Sequence, residues 1–435
     1  MQKHWRRNGI RVALLLTGAA LLGGGSFPAT EPAAPPAGAE VRVGIDAGDL
    51  RGADHRALQA AVDYVAGLGG GTVHVGPGRY EMRNALTLRD NVRVVGVPGQ
   101  TVLAACDGLS MRLAADGDCN QREITVADAA NLRVGDGVAV LDKRAGSGFG
   151  VTTATLTAKL GPNVFRISRP LYFDYLMSQQ AVARLAFPVV GGWQVKHAAV
   201  EGLTIDGNRA KAEPLDGCRG GGIYLFECED VTIRNCAVRN YNGDGISFQV
   251  SQGVTVEGCR LEDNAGHGLH PGSGSQRPVV RHNTSTGNGQ DGMFVCWRVR
   301  HGQFEDNTLQ ANRRSGLSIG HKDSDNLFRG NRILGNDDAG ITFRNESEPM
   351  GAHRNRFEKN VVLDNGGGES RAAAVVIRGE HHDLVFRANV IGYSQPRPGA
   401  TVGIRASATA KGLDADENDF RNVATPVAVE TKRDK

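Results

Sequence analysis

The chain has 435 residues, of which 59 are glycine and 22% are charged, and its formal net charge is only +3. This small charge, together with the lack of a Lys/Arg cluster interleaved with aromatic residues, argues against a nucleic-acid partner. An ordinary domain of this length would be expected to divide. A solenoid would not, because its core grows along one axis.

Residues 1–39 are predicted to be an export signal followed by a linker rich in Pro and Ala. Basic residues at positions 3, 6, 7 and 11 precede an apolar stretch over 12–22. This stretch is typical of a secretory signal and is too short to cross a bilayer permanently. We therefore expect an exported protein, periplasmic, extracellular or on the cell surface, with no membrane span.

Residues 40–100 are predicted to form an N-terminal cap and the first coils. Asp54 can cap a short helix whose apolar residues follow the i, i+3, i+4, i+7 pattern. These residues are Leu58, Ala61, Val62 and Val65. Gly69-Gly70-Gly71 ends the helix. An amphipathic helix at one end can cover the open core of a solenoid. Residues 101–192 are expected to be irregular early coils with insertions.

Residues 193–425 repeat one pattern every 23 or 24 residues, with longer copies near the end. Each copy is anchored by a small residue, usually Gly, followed by a large aliphatic residue. The anchors are Gly222-Ile223, Gly245-Ile246, Gly268-Leu269, Gly292-Met293, Gly316-Leu317, Gly340-Ile341, Ala374-Val375 and Gly403-Ile404. A fixed period of this length indicates a solenoid whose units bury their apolar faces by stacking on their neighbours. Residues 426–435 are expected to be a C-terminal tail.

Asparagines recur with the same period in two columns. The first is Asn240, Asn264, Asn288, Asn312, Asn336 and Asn365, and the second is Asn235, Asn283, Asn307, Asn331, Asn360, Asn389 and Asn418. Asparagine tolerates tight turns, and its amide can bond to its own copy one coil away. Short alternating strands such as Val254-Thr255-Val256 lie between the turns. The predicted fold is therefore all-β, a single-stranded right-handed parallel β-helix with an N-terminal helical cap, the hand being that of parallel crossovers.

The seven cysteines are an odd number, so at least one has no partner within the chain. Cys236 and Cys259 occupy one column on adjacent coils, where we expect them to stack as small buried residues. Cys106 and Cys119 are the better candidates for a disulfide.

Two stretches resemble a known superfamily. The run from L-Q-A-A-V-D to G-G-G-T-V-H-V-G-P-G-R-Y at 58–80 and the segment I-T-V-A-D-A-A-N-L-R-V-G-D-G-V-A-V at 124–140 are similar to the secreted pectate-lyase-like right-handed β-helix proteins. With the repeats, the resemblance covers roughly residues 50–425. It implies the fold, but the superfamily includes polysaccharide lyases, polygalacturonases, uronan epimerases and non-catalytic surface proteins. Function must therefore be argued from the site.

A mostly basic stripe is expected on the strand after each anchor, where alternate residues point outward. Its proposed catalytic members are His270, Arg298, Lys322 and Arg344. Gln249, His321, Glu346 and Arg378 are predicted to contact the substrate. Arginine and lysine can hold the carboxylates of an acidic sugar chain. A base in this stripe could remove the C5 proton of a uronic acid. This pattern predicts an enzyme, a lyase or a C5-epimerase, acting as a monomer on an acidic polysaccharide.

The residues just before three successive anchors give an alternative site. They are Asp244, His267 and Asp291. Two coil spacings place the carboxylates of Asp244 and Asp291 about 9.6 Å apart, near the upper limit of the distance between the two catalytic carboxyl groups of an inverting glycosidase. The motifs N-G-D-G and G-H-G around Asp244 and His267 also resemble those of polygalacturonases, although here they lie on adjacent coils and that family has a further paired-aspartate motif between them. A non-catalytic glycan-binding or structural β-helix is the third possibility.

Metal binding is weakly indicated, and no cofactor is predicted. Asp323-Ser324-Asp325 and the group Asp416, Glu417 and Asp419 offer oxygen ligands suited to Ca²⁺. Neither group matches a calcium-binding repeat.

Overall fold

The computed structural model describes residues 38–145, 148–366, 373–399 and 401–430. Nearly all of the predicted export signal lies outside these ranges. Among the described residues, no helix is long and apolar enough to cross a membrane. Residues 425–429, partly assigned to the C-terminal tail, form the last strand of a sheet, because their backbone pairs with Val402–Ala406.

The predicted cap is an α-helix over His55–Gly67. The Asp54 side chain accepts a hydrogen bond from the backbone N–H of Arg56, which satisfies one of the free donors at the helix start. The four predicted apolar residues of the helix are buried and belong to the same core cluster as the coils. The helical cap is thus confirmed.

Each regular coil contributes one short strand to each of three parallel sheets, here called sheets 1, 2 and 3. The strands of sheet 1 are Ala39–Gly44, Leu50–Arg51, Gly71–Val75, Val92–Val95, Ala199–Glu201, Thr232–Arg234, Thr255–Glu257, Val279–Arg281, Gln303–Glu305, Leu327–Arg329, Arg356–Glu358 and Val385–Arg387. The strands of sheet 2 are Gly78–Met82, Thr101–Ala105, Thr204–Asp206, Ala237–Arg239, Arg260–Glu262, Thr284–Thr286, Thr308–Gln310, Arg332–Leu334, Val361–Leu363, Val390–Gly392 and Asp419–Arg421.

Sheet 3 begins each repeat at the anchor. Its strands are Leu86–Thr87, Val190–Trp193, Ile223–Phe226, Ile246–Gln249, Leu269–Ser273, Met293–Phe294, Cys296–Trp297, Leu317–Ile319, Ile341–Glu346, Ala373–Gly379, Val402–Ala406 and Thr425–Val429. The aliphatic anchors pair in register from coil to coil, for example Ile246 with Leu269 and Leu317 with Ile341. Because these anchors point into the core, the residues next to them point outward. The fold is the predicted right-handed parallel β-helix.

An insertion interrupts the early coils. Six strands form an antiparallel sheet of their own: Ser110–Arg112, Glu123–Thr125, Gly137–Leu141, Thr152–Lys159, Val164–Ile167 and Val182–Arg184. A 3₁₀ turn covers Met177–Gln179. The insertion has a separate hydrophobic cluster that includes Leu156, Phe165 and Tyr175.

The asparagine columns form hydrogen-bonded ladders. Successive amides from Asn264 to Asn365 are joined by Nδ2–Oδ1 bonds of 2.8–3.0 Å, and so are those from Asn283 to Asn418. Asn240 is not part of its predicted ladder, because that coil has 23 residues and Tyr241 takes the position, donating its N–H to Asn264. Asn235 is likewise displaced by Cys236, which stacks with Cys259 as expected.

All seven cysteines are free, so the predicted Cys106–Cys119 disulfide is wrong. Cys106 packs against the core of the coils. Cys119 lies in the insertion, where its thiol faces the carbonyl of Tyr172 at 3.4 Å. The two residues therefore belong to different structural units, which sequence spacing could not reveal.

Candidate active site

The outer face of sheet 3 brings both predicted sets of residues together. Ser247 and His270 are register partners, and Phe294 pairs with Ser318 on the following coils. Asp244, His267 and Asp291 lie just before the strands on three successive coils. We call this outer face the site face. Its centre combines His270 from the basic stripe with all three residues of the alternative site.

Asp244 orients His270. The Asp244 Oδ2 atom lies 2.7 Å from Nδ1 of His270, and its Oδ1 accepts the backbone N–H of His267 at 2.8 Å. Burial alone would raise the pKa of Asp244, but the neighbouring His267 and His270 hold it below its usual value. The ionised carboxylate fixes the His270 proton on Nδ1, so its Nε2 carries the lone pair. This Nε2 has no hydrogen-bond partner among the described residues and is not a buried atom.

His267 has the opposite proton arrangement. Its Nδ1 accepts the backbone N–H of Asp291 at 3.2 Å, so we assign the proton of the neutral ring to Nε2. The Asp291 Oδ2 atom also lies 3.2 Å from Nδ1 and would stabilise a positively charged ring. The other Asp291 oxygen accepts the N–H of Ser315 at 2.9 Å. The two histidine rings, 5.6 Å apart, therefore offer one acceptor and one donor.

Phe294 connects the histidines to Arg344. Its ring stacks on His267 with centroids 4.2 Å apart, and the Arg344 guanidinium carbon lies 4.5 Å from the centroid of the same Phe294 ring. Arg344 also donates to Ser318 Oγ and to the carbonyl of Val295 at 3.0 and 2.9 Å. With only 17% of its side chain exposed, it holds a positive charge beside the histidines. We therefore expect Arg344→Ala to destabilise the protein, unlike an ordinary surface substitution.

Asp323 supports Arg344 from below the site face. Its carboxylate is completely buried and accepts the backbone N–H groups of Val299 and Gly320 at 2.9 and 3.1 Å. Arg344 Nη2 lies 3.3 Å away. Burial raises the pKa of Asp323 to about 8, although Arg344 and the two N–H groups act against this shift.

This raised pKa predicts a pH dependence of stability. Between about pH 4 and pH 8 the folded protein keeps a proton on Asp323 that the unfolded chain has released, so the contribution of this group to stability falls as pH rises through that window. We expect the urea midpoint to decrease from pH 5 to pH 8, and Asp323→Asn to flatten this slope. Asp338→Asn, a change at a more accessible carboxylate, is the control and should leave the slope intact. An unchanged slope in Asp323→Asn would refute the assignment.

A loop before the Ile223–Phe226 strand covers one end of the site. The carbonyl of Gly217 accepts Ser247 Oγ at 2.7 Å and Gln249 Nε2 at 3.4 Å. A Cβ at Gly217 would collide with Asp244, so only glycine fits this close approach. Gln249 is 1% exposed and therefore holds this loop, whereas the sequence predicted a sugar contact.

A groove of about 540 Å³ continues from Asp291 along the site face towards the C-terminal coils. Four arginines line it: Arg314, Arg344, Arg378 and Arg405. Acidic groups are fewer, namely Asp291, Asp338 and Glu430. Arg314 and Arg378 are exposed and form no ion pair with any described residue. The groove can therefore attract an anionic chain.

Two members of the predicted basic stripe lie outside the groove. Arg298 and Lys322 occupy corners after the sheet-3 strands, with φ of 59° and 67°, and neither lines the groove. The left-handed backbone breaks the alternation from which their direction was predicted. His321 and Glu346 pair with each other at 2.8 Å, and His321 also contacts Cys296. The sequence reasoning missed Phe294, although its position one residue after an anchor marks it as outward.

Three carboxylates of the predicted calcium groups are engaged with protein. Asp323 is bonded as described above, Asp325 pairs with Arg354 at 2.6 Å, and Asp419 pairs with Arg421 at 2.7 Å. The cluster of potential ligands found among the described residues is Glu348, His353 and His382.

This histidine cluster does not fit a metal ion. The rings of His353 and His382 stack with centroids 3.5 Å apart and an angle of 14°, so their lone pairs run parallel instead of converging. Nδ1 of His353 accepts the N–H of His382, which leaves the proton on the Nε2 that faces Glu348 at 2.8 Å. A metal ligand would need that nitrogen unprotonated.

Comparison with known proteins decides the family. The model of the right handed beta helix region matches residues 190–348 and 298–420, which together span more than half of the 435 residues. The chain belongs to the right-handed β-helix family. This agrees with the coil architecture and with the superfamily resemblance of the sequence.

Within this family, the chain is similar to mannuronan C5-epimerase AlgE6 of Azotobacter vinelandii, with 24% identity over 328 residues, 73% of this chain. It spans only 26% of that enzyme's length. Two solved structures share the fold. The AlgE4 A-module of the same organism has a TM-score of 0.53 and 16% identity, covering 90% of this chain and 99% of that one. The polygalacturonase of Erwinia carotovora has a TM-score of 0.54 and 14% identity, covering 92% and 99%.

Proposed function

We propose that this β-helix is an exported enzyme that removes the C5 proton from a uronic acid within an acidic polysaccharide. The observation that carries the proposal is the pair of histidines with opposite proton arrangements, His270 with a free lone pair and His267 with a free N–H. C5-epimerisation is the preferred outcome, because the curated relatives named above are mannuronan C5-epimerases. β-Elimination is the second candidate, since it begins with the same step.

In the proposed reaction, Nε2 of His270 takes the C5 proton, and the electron pair moves into the substrate carboxylate. The nearby positive charge of Arg344 stabilises this second negative charge. His267 then donates its Nε2 proton. Delivery to the opposite face of C5 inverts the sugar, whereas delivery to the glycosidic oxygen at C4 breaks the chain and leaves an unsaturated end.

The hydrolase alternative is less well supported by the geometry. Asp244 and Asp291 are 4% and 1% exposed, and the Asp244 carboxylate is occupied by His270 and a backbone N–H, whereas Asp291 binds a backbone N–H through Oδ1 and its buried Oδ2 has no hydrogen-bond partner among the described residues. A carboxylic acid and base flanking a glycosidic bond must instead face the sugar. The groove would equally serve a non-catalytic binding protein, and activity assays separate that possibility.

Incubation in D₂O with polymannuronate, polyguluronate and polygalacturonate tests the proposal. We expect at least one polymer to gain either deuterium at C5, seen by NMR, or an unsaturated chain end. Inverted residues without chain cleavage identify the epimerase, and absorbance of an unsaturated product identifies the lyase. New reducing ends without an unsaturated product and without deuterium at C5 would support the hydrolase and overturn the proposal. Binding without any reaction would support a non-catalytic role.

Arg378→Ala should weaken binding of the polymer about tenfold or more, because a charge-assisted contact is lost. The free energy of unfolding should change by less than about 0.5 kcal/mol, since Arg378 is exposed. Arg356→Ala removes the same charge from sheet 1, where Arg356 pairs with Glu358, and is the matched control. Equal affinities of the two variants would show that the groove is not the binding surface.

A further inference from the structure

A second group of titratable side chains lies on the site face outside the histidine pair. Cys296 Sγ is 3.1 Å from Nδ1 of His321, and Nε2 of His321 is 2.8 Å from Oε1 of Glu346. The three residues come from three successive coils. Their order, thiol to imidazole to carboxylate, matches the linear arrangement of a nucleophile, a base and a group that orients the base.

The tautomer of His321 fits this order. With its proton on Nε2, the nitrogen that lies next to the Glu346 carboxylate, His321 turns the lone pair of Nδ1 towards the thiol. Trp297 packs near the ring, with centroids 5.1 Å apart, and limits its rotation. His321 can therefore accept the thiol proton without moving.

Cys296 differs from the cysteines that pack inside the coils. The thiols of Cys236 and Cys259 are buried, contact each other and face backbone carbonyls. Cys296 is partly exposed, and its register partner on the preceding coil is Gly272, which has no side chain. A structural role in the core thus explains the buried cysteines but not Cys296.

We propose that Cys296, His321 and Glu346 form a second catalytic site, which cleaves a carboxylic ester through an acyl-thiol intermediate. Cys296 lies two residues beyond Phe294, so it occupies the next outward row of the site face, about 7 Å along the strand. An acyl group on a hydroxyl of a sugar held on this face is the substrate class that fits. The proposed polysaccharide function is needed only to identify the alcohol part of the ester as a sugar.

The reaction balances without a co-reactant other than water. The Cys296 sulfur bonds to the ester carbonyl carbon while His321 takes the thiol proton. The carbon–oxygen bond to the alcohol then breaks, and the leaving oxygen receives that proton from His321. A water molecule, deprotonated by His321, cleaves the thioester, releasing the carboxylic acid and restoring the thiol.

Cys296 and His321 are both neutral before the substrate binds. Burial raises the pKa of Cys296 to about 12, and burial together with the nearby Arg344 lowers the pKa of His321 to about 4. Proton transfer must therefore accompany attack on the carbonyl. Alkylation by iodoacetamide, which needs a preformed thiolate, should accordingly be slow at Cys296 at neutral pH.

The test uses p-nitrophenyl acetate, an activated ester that requires no polysaccharide. We expect a burst of p-nitrophenol equal to the enzyme concentration and one acetyl group mapped to Cys296 by peptide mass spectrometry. Cys296→Ala should abolish the burst, and His321→Ala should slow it at least about 100-fold. Cys119→Ala, which removes an exposed thiol of the insertion, is the control and should retain the burst.

Glu346 is a positioning residue, so Glu346→Gln should slow acylation and alter its pH profile while thermal unfolding stays unchanged. Acetyl on another residue, a full burst in Cys296→Ala, or a wild-type rate in His321→Ala would each overturn the proposal. The acetyl map of the unmodified enzyme remains decisive even where a variant folds poorly. Because the ester carries no sugar, failure of the uronic-acid assay would leave this result unaffected.

Discussion

His270→Gln should lower turnover of the uronic-acid polymer by about 10²- to 10⁴-fold, the usual contribution of a general base. Glutamine can still donate to Asp244, so the buried carboxylate keeps a partner while the basic nitrogen is lost. Deuterium incorporation at C5 and the rate of product formation should fall together. Affinity for the polymer, measured with the inactive variant, should change little, because the groove arginines remain.

The control is His282→Gln, a change at an exposed corner next to sheet 1 that should keep full activity. Asp291→Asn separates the two chemical mechanisms. If His267 is the proton donor, this variant retains part of its activity, since Asp291 acts only through that ring. Complete loss in Asp291→Asn with an active His270→Gln would favour the hydrolase and refute the role of His270.

Ile341→Asp should destabilise the β-helix by at least about 4 kcal/mol, because it places an unpaired charge in a narrow core. Ile341 is 1% exposed and lies between Leu317 and Val375 on the adjacent coils. Urea unfolding followed by circular dichroism measures the loss. Ile341→Val, which keeps the shape and removes one methyl group, should cost only about 0.5–1.5 kcal/mol.

The damage from Ile341→Asp should also be local. Each coil of a solenoid contacts only its neighbours. Amide hydrogen exchange should therefore accelerate first in the coils around Leu317 and Val375, while the helix at His55–Gly67 stays protected. Equal urea midpoints for the Asp and Val variants would contradict the placement of Ile341 in the core.

Much of the fold follows from periodicity, which is visible in one dimension. The glycine–aliphatic anchors predict sheet 3, and Asn288 and Asn312 predict a ladder, because the same residue at the same place in each coil must meet its copy. The errors arise where the coil length changes. Asn240 does not join the predicted ladder, because its coil is one residue shorter than the 24-residue spacing of the next coils and Tyr241 takes its place.

The sequence predicted individual residues of the candidate site but not which of them are in contact. The sequence identified His270 and Asp244 separately, as members of two competing sites, because they lie 26 residues apart on different coils. Only stacking of those coils makes them one hydrogen-bonded pair. The loop at Gly217 could not be predicted because it does not repeat with the coil, whereas the position of Phe294 after an anchor marked it as outward but not as a partner of His267.

The sequence by itself determined the repeat, the core anchors, the helical cap and the face on which His270 lies. The tertiary structure decided which side chains of that face meet. Arg298 and Lys322 lie outside the groove, at corners that adopt a left-handed backbone, which no alternation rule describes. The proton positions that we assign to His267 and His270 also depend on the tertiary structure, because each rests on a hydrogen-bond partner from a neighbouring coil.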